Sequence, residues 1–211
     1  FEVDLQADTK QLIVKTCFTL KTSMNYLAHL YLSGSDEQIM VGNFAGDYIK
    51  GTKCKNYPEK IGKGVRLHRD IDSFTDNHYF YKEAKMFFKP ELGLYSGIVV
   101  DFVYDHYLAK NWSDYSEISL RQFSRKAHAV LIRNFFHLPG EVQRFLPFLI
   151  KNKRLESYAT IDGVTEALRI MSNYSSLPEK SDFVKTTLHE NYAELEYNFR
   201  QYMPLLINFV K

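Results

Sequence analysis

From Met24 onward, apolar positions recur at intervals of three and four, the spacing that lays a stripe along one face of an α-helix. Turn chemistry cuts this pattern into segments. Ser33-Gly34-Ser35-Asp36 ends one helix and N-caps the next, Pro90 and Gly93 separate another pair, and Pro139-Gly140 and Leu177-Pro178 mark later breaks. The spacing predicts helices over 25–32, 36–50, 61–77, 79–88, 94–111, 116–136, 140–151, 160–173 and 180–208, with Pro204 kinking or shortening the last. Residues 1–23 read differently. Apolar and polar residues alternate in Glu2-Val3-Asp4-Leu5 and Thr16-Cys17-Phe18-Thr19-Leu20, which suits an N-terminal extension forming a short hairpin or a disordered arm. The expectation is an all-α, single-domain helical bundle over residues 24–211.

Composition narrows the class of protein. A chain of 211 residues that is 45% hydrophobic and 15% aromatic carries enough apolar area for one sizeable core. With 27 basic against 25 acidic side chains, overall charge offers no basis for nucleic-acid binding, so electrostatic recognition has to be local. No run approaches the roughly 18 to 20 apolar residues that span a bilayer, and the N-terminus lacks the order of a signal peptide. No membrane partner is expected. Cys17 and Cys54 form no C-x-x-C pair, which fits a reducing, cytoplasmic setting.

Candidate chemistry concentrates in a few segments. In Arg66-Leu67-His68-Arg69-Asp70-Ile71-Asp72-Ser73-Phe74-Thr75-Asp76, the residues His68, Asp72 and Asp76 recur every four positions and share a helix face beside an apolar stripe. In Ile98-Val99-Val100-Asp101-Phe102-Val103-Tyr104-Asp105-His106-Tyr107-Leu108, Asp101 and Asp105 lie four apart on a helix that reads as buried nearly all round. Buried carboxylates require a cation, a metal or a network of donors. In Gly42-Asn43-Phe44-Ala45-Gly46-Asp47, Asn43 and Asp47 share a face while the two glycines permit close helix packing. His29, within Tyr26-Leu27-Ala28-His29-Leu30-Tyr31-Leu32, fits either a metal ligand or a donor to a backbone carbonyl. Taken singly, each has a structural reading as well: a surface pair for His68 and Asp72, a salt-bridge network with Arg66, Arg69 or a lysine for Asp101 and Asp105, a satisfied core histidine for His29. Their co-occurrence on core-like helices points to a divalent metal held by histidine and carboxylate, a donor set for Mn²⁺, Mg²⁺ or Fe²⁺ rather than a thiolate-preferring ion. The sequence has no phosphate-binding glycine loop, G-x-S-x-G elbow or H-E-x-x-H helix.

Four blocks in order, Met24-Asn25-Tyr26-Leu27-Ala28-His29-Leu30, Gly42 to Asp47, Leu67 to Asn77 and Asp101 to Leu108, resemble the acyl carrier protein phosphodiesterases, a family distantly akin to HD-domain metal phosphohydrolases. The resemblance implies Met24 as the natural start and a helical phosphodiesterase domain. It also implies removal of 4′-phosphopantetheine from holo acyl carrier protein with Mn²⁺ or a similar ion. The HD order is not reproduced, since the adjacent pair here is Asp105-His106. On this basis His68, Asp72 and Asp105 are expected to ligate the metal, with Asp47 as a further ligand or base. His106 or His29 is expected to protonate the leaving group, and Arg69 to clamp phosphate. Asn43, Asp76 and Asp101 are expected to support the ligands. Between Asp47 and His68, six basic residues (Lys50, Lys53, Lys55, Lys60, Lys63, Arg66) face only Glu59, a patch suited to docking an acidic carrier protein. Two other classes stay open: an HD-like phosphohydrolase for a nucleotide or small phosphoester, and a non-enzymatic helical protein-binding module.

Overall fold

The computed structural model describes residues 26–211. The expected hairpin or arm over residues 1–23, and Met24 as a start, lie outside the described residues. Among those described there are helices and turns and no strand. α1 (Tyr26–Leu32), α2 (Glu37–Phe44), α3 (Glu59–Asn77), α4 (Tyr79–Leu92) and α5 (Ser96–Lys110) come first. They are followed by α6 (Leu120–Arg133), α7 (Gly140–Lys151), the single turn α8 (Arg154–Ser157), α9 (Ile161–Ser172), α10 (Ser181–Glu190) and α11 (Tyr192–Phe209). None of the described helices is long and apolar enough to cross a membrane.

The helix starts follow local hydrogen-bond chemistry. Asp36 caps α2 by accepting from the Gln38 and Ile39 amides, and Ser119 with Gln122 forms a capping box on α6. Several boundaries differ from the sequence reading. The helix expected over 79–88 runs on through Pro90 to Leu92, where Gly93 ends it, and the one expected over 116–136 is confined to Leu120–Arg133. The helix expected over 36–50 stops at Phe44 and passes into a 3₁₀ turn, Gly46–Tyr48, because Gly46 has to lie flat against His68. The long helix expected over 180–208 is two, divided at Asn191, whose side-chain amide donates to the Thr187 carbonyl (2.9 Å) and closes α10. Pro204 does not shorten α11, which continues to Phe209.

At the centre runs α5, buried on every face from Val99 to Ala109 as its sequence predicts, with α1, α4, α9 and α11 packed around it. The most extensive helix contact is α2 on α3. Here two glycines bring the backbones together: a Cβ on Gly42 would run into the Ile61 carbonyl oxygen, and one on Gly64 into that of Ile39. This crossing sets Asn43 of α2 against His68 of α3.

Candidate metal centre

His29 of α1 and His68 of α3 stack face to face, with ring centroids 4.1 Å apart. Both are almost fully buried. The His29 Nδ1 lies 2.7 Å from Asn43 Oδ1, and the His68 Nδ1 lies 2.8 Å from the Asn43 backbone oxygen. Asn43 is itself held, its Nδ2 donating to the His29 carbonyl (2.7 Å) and to Ser33 Oγ (3.0 Å). With its amide nitrogen committed there, Asn43 presents oxygen to His29, so both imidazoles donate from Nδ1.

Both Nε2 atoms therefore converge on one place. They are buried without a hydrogen-bond partner. The Asp72 carboxylate spans them, Oδ1 3.3 Å from His29 Nε2 and Oδ2 3.2 Å from His68 Nε2, close enough for charge pairing but off the line of either ring's N–H. Asp47 Oδ1 lies 3.4 Å from His68 Nε2. His29, His68 and Asp72 each offer an atom within 4.8 Å of the others, a set able to hold a metal ion. A carbonyl oxygen that accepts from Nδ1–H is a usual way for a protein to aim Nε2 at a metal. The cluster is closed on the histidine side and open at the carboxylates, where the side chain of Asp72 is 32% exposed and that of Asp47 18%.

Electrostatics agree with a cation site. Burial works to lower the His68 pKa, but the Asp47 and Asp72 carboxylates overcome it and push it up to about 10. Burial would raise the Asp72 pKa, yet His29 and His68 hold it well below the usual carboxylate range. The excess negative potential that retains a proton on His68 is the same potential that would favour a divalent cation in its place. Gly46 is needed for this arrangement, since a Cβ there would occupy the His68 ring.

The other sequence candidates are not among the three residues that offer converging ligand atoms. Asp105 is fully buried, but its Oδ2 and Oδ1 accept from the Leu27 and Ala28 amides (2.9 Å each), so the residue expected as a ligand caps the N-terminus of α1 from across the core. Burial pushes its carboxyl up to about 8 against the pull of those two donors. His106 spends both nitrogens elsewhere: Nδ1 donates to the Tyr158 carbonyl (2.9 Å) and Nε2 accepts from the Tyr192 hydroxyl (2.8 Å). Asp101 accepts from the Tyr81 hydroxyl (2.9 Å), and Asp76 is exposed one turn beyond Asp72. Arg69 donates through Nη2 to the Ile49 and Gly51 carbonyls (2.7 and 2.9 Å), pinning the 3₁₀ segment Gly51–Asn56 to α3. Of the basic residues, Lys60 pairs with Asp36 and Lys63 with Glu59, while Lys50, Lys53, Lys55 and Arg66 are exposed with no ion pair to a described residue. Ser33, which orients Asn43, was not among the sequence candidates; as part of a capping turn it gives no separate signal.

Two buried imidazoles and a carboxylate, converging at the open edge of an all-helical bundle, form a set that could hold a metal ion and is compatible with a metal-dependent enzyme. Comparison with known proteins is more specific. The model of the acyl carrier protein phosphodiesterase family matches residues 24–206, and the chain belongs to that family of phosphodiesterases. It is 31% identical over 191 residues to an acyl carrier protein phosphodiesterase of Enterobacter sp. (strain 638), covering 87% of this chain and 96% of the relative. Proteins of the same name from Yersinia pestis and Pectobacterium atrosepticum are each 28% identical, over 87% and 89% of this chain and 96% and 98% of theirs. No solved structure matches the chain.

Proposed function

We propose that this chain cleaves the phosphodiester joining 4′-phosphopantetheine to holo acyl carrier protein, giving the apo carrier, with a divalent cation held by His29, His68 and Asp72. The observation that carries the site assignment is the pair of buried, unpartnered Nε2 atoms facing one carboxylate. Family membership carries the substrate.

A bound divalent cation supplies a water of lowered pKa and neutralises charge on the phosphoryl oxygens. The residues of the chain hold that cation, place the water and leave the carboxylate edge open to solvent, from which the departing serine oxygen takes its proton. Asn43 fixes both imidazoles through its side chain and backbone oxygens. Asp47, beside His68 at the solvent edge, is placed to orient the attacking water or to complete the ligand set. This reading moves His29 from proton donor to ligand. It takes Asp105 and His106 out of the chemistry, because their polar atoms are already engaged by the protein. Arg69 serves by anchoring the basic segment next to the site. That segment keeps Lys50, Lys53 and Lys55 exposed, which suits an acidic protein substrate more than a small phosphoester. Imidazole together with carboxylate suits Mn²⁺ or Fe²⁺ better than Mg²⁺, and Mn²⁺ is the ion proposed. A carrier-protein substrate would place the enzyme in the cytoplasm.

The test is to incubate the purified chain with holo carrier protein and Mn²⁺ and weigh the carrier by mass spectrometry. Loss of the phosphopantetheine mass, blocked by a chelator, is the expected result. A carrier of unchanged mass would overturn the proposal.

A further inference from the structure

α4 buries Tyr81, Ala84, Phe88 and Leu92 against the rest of the bundle and leaves its outer face to solvent. Between that face and the turn leading into α5 lies an open groove of about 310 Å³. Lys82, Lys85 and Lys89 line it at intervals of three and four, and no acidic side chain does. Glu91 is engaged elsewhere, with Lys180 just before α10 (3.0 Å), and no described acidic residue pairs with any of the three lysines. The same groove holds apolar surface out to water. Met86 sits among the lysines, 57% exposed, and Leu94 at the end is wholly exposed. A tight turn displays Leu94: Gly93 takes a positive φ of 51°, and the Ser96 hydroxyl donates to the Gly93 carbonyl (2.9 Å). Exposed lysines are ordinary alone; gathered in one concavity with a methionine and a leucine, they mark a contact surface.

We propose that this groove docks a protein partner through an acidic amphipathic helix, its carboxylates paired with Lys82, Lys85 and Lys89 and its apolar side on Met86 and Leu94. Spacing selects a helix. The three lysines fall on one stripe of α4 and extend over about 10 Å, the rise of seven helical residues. Carboxylates recurring every three or four residues on a second helix meet them one for one. A phosphate group would reach only part of that row and leave Met86 and Leu94 in water. A bilayer surface calls for a broad basic face, whereas these cations line a concavity that fits a rod. None of the lining residues belongs to the metal cluster or to the basic segment before His68, so the groove is a second contact surface.

Fluorescence anisotropy on the full chain tests the proposal with a labelled alanine-based helical peptide carrying glutamates and leucines at the matching intervals on one face. A peptide of the same composition in scrambled order is the control. The helical peptide is expected to bind about tenfold or more tightly than the scrambled one, with affinity falling as salt is raised. Lys85→Glu combined with Lys89→Glu should lower its affinity by about tenfold or more. Leu94→Ser, at a wholly exposed position, should lower it by about threefold or more and serves as the second variant should the double reversal fail to fold. Lys126→Glu, on the exposed side of α6, should leave it within about a factor of two. Equal binding of the two peptides, absence of binding, or affinity untouched by the groove substitutions would overturn the assignment. So would binding of sodium triphosphate or phosphatidylglycerol vesicles through the same lysines with neither peptide bound, which would give the groove to a small anion or a membrane. The measurement is made in EDTA and reads no turnover, so its failure and that of the phosphodiesterase reading are distinguishable.

Discussion

Histidine and aspartate meet twice inside this bundle, and the two meetings differ in where their hydrogen bonds end. Around Asp72, Asn43 occupies the Nδ1 of both His29 and His68, and the outward nitrogens are left without partners. Around Asp105 and His106, every side-chain polar atom closes on the protein: two backbone amides, a carbonyl and a tyrosine hydroxyl. The first arrangement has unused valence aimed at a common point; the second is complete. Adjacency of His and Asp is thus a weak guide to chemistry, and the inventory of partners is a strong one.

That contrast can be broken by experiment. Asp72→Asn should reduce phosphodiesterase turnover by about 10³-fold or more with the helical circular dichroism unchanged, since it removes the charge between the two imidazoles. A variant keeping a tenth or so of wild-type turnover would take the cluster out of the chemistry. His29→Gln should lose about 10²-fold or more, whereas His106→Gln should keep turnover within a few-fold and instead lose roughly 1–3 kcal/mol of stability in urea denaturation. Equal losses of activity at the two positions would erase the distinction. Asn43→Ala, which frees both rings to rotate, should weaken Mn²⁺ binding by about 10- to 100-fold in a metal titration.

A further test concerns pH. Burial raises the folded-state pKa of Asp105 to about 8 from its ordinary 3.8, so the fold favours the protonated carboxyl. The stability from this group is complete below about pH 4 and is lost as pH climbs towards about 8. Asp105→Asn does not titrate, so its stability deficit relative to wild type should be smaller at about pH 9 than at about pH 5 by urea denaturation. A deficit independent of pH would mean that the two amide donors keep the carboxylate ionised throughout.

Much of the fold was legible in advance, because helical periodicity and turn residues are local signals. The shared face of His68 and Asp72 follows from four-residue spacing, and the crowding at Gly42 and Gly46 follows from their lack of side chains. The pairing of His29 with Asp72 was not legible, since it depends on how α1 approaches α3 and not on any interval along the chain. The partners of Asp105 were hidden for a different reason: backbone amides exist at every residue and leave no mark in a sequence. The break at Asn191 escaped notice because the apolar stripe continues across it.

The glycine-lined crossing of α2 and α3 also bears on the order in which the molecule forms. These helices are joined by residues 45–58 alone, so bringing them together closes a short loop at small entropic cost. His29, Asn43, Asp47, His68 and Asp72 all lie before residue 73. On a ribosome this stretch is complete and can close on itself while α5 is still being made, and Asp105 then arrives to lock α1 from behind. Pulse-labelled hydrogen exchange during refolding should accordingly find the amides of α2 and α3 protected before those of α5. The apparatus for holding a cation would be an early product of folding, and the central helix its later clasp.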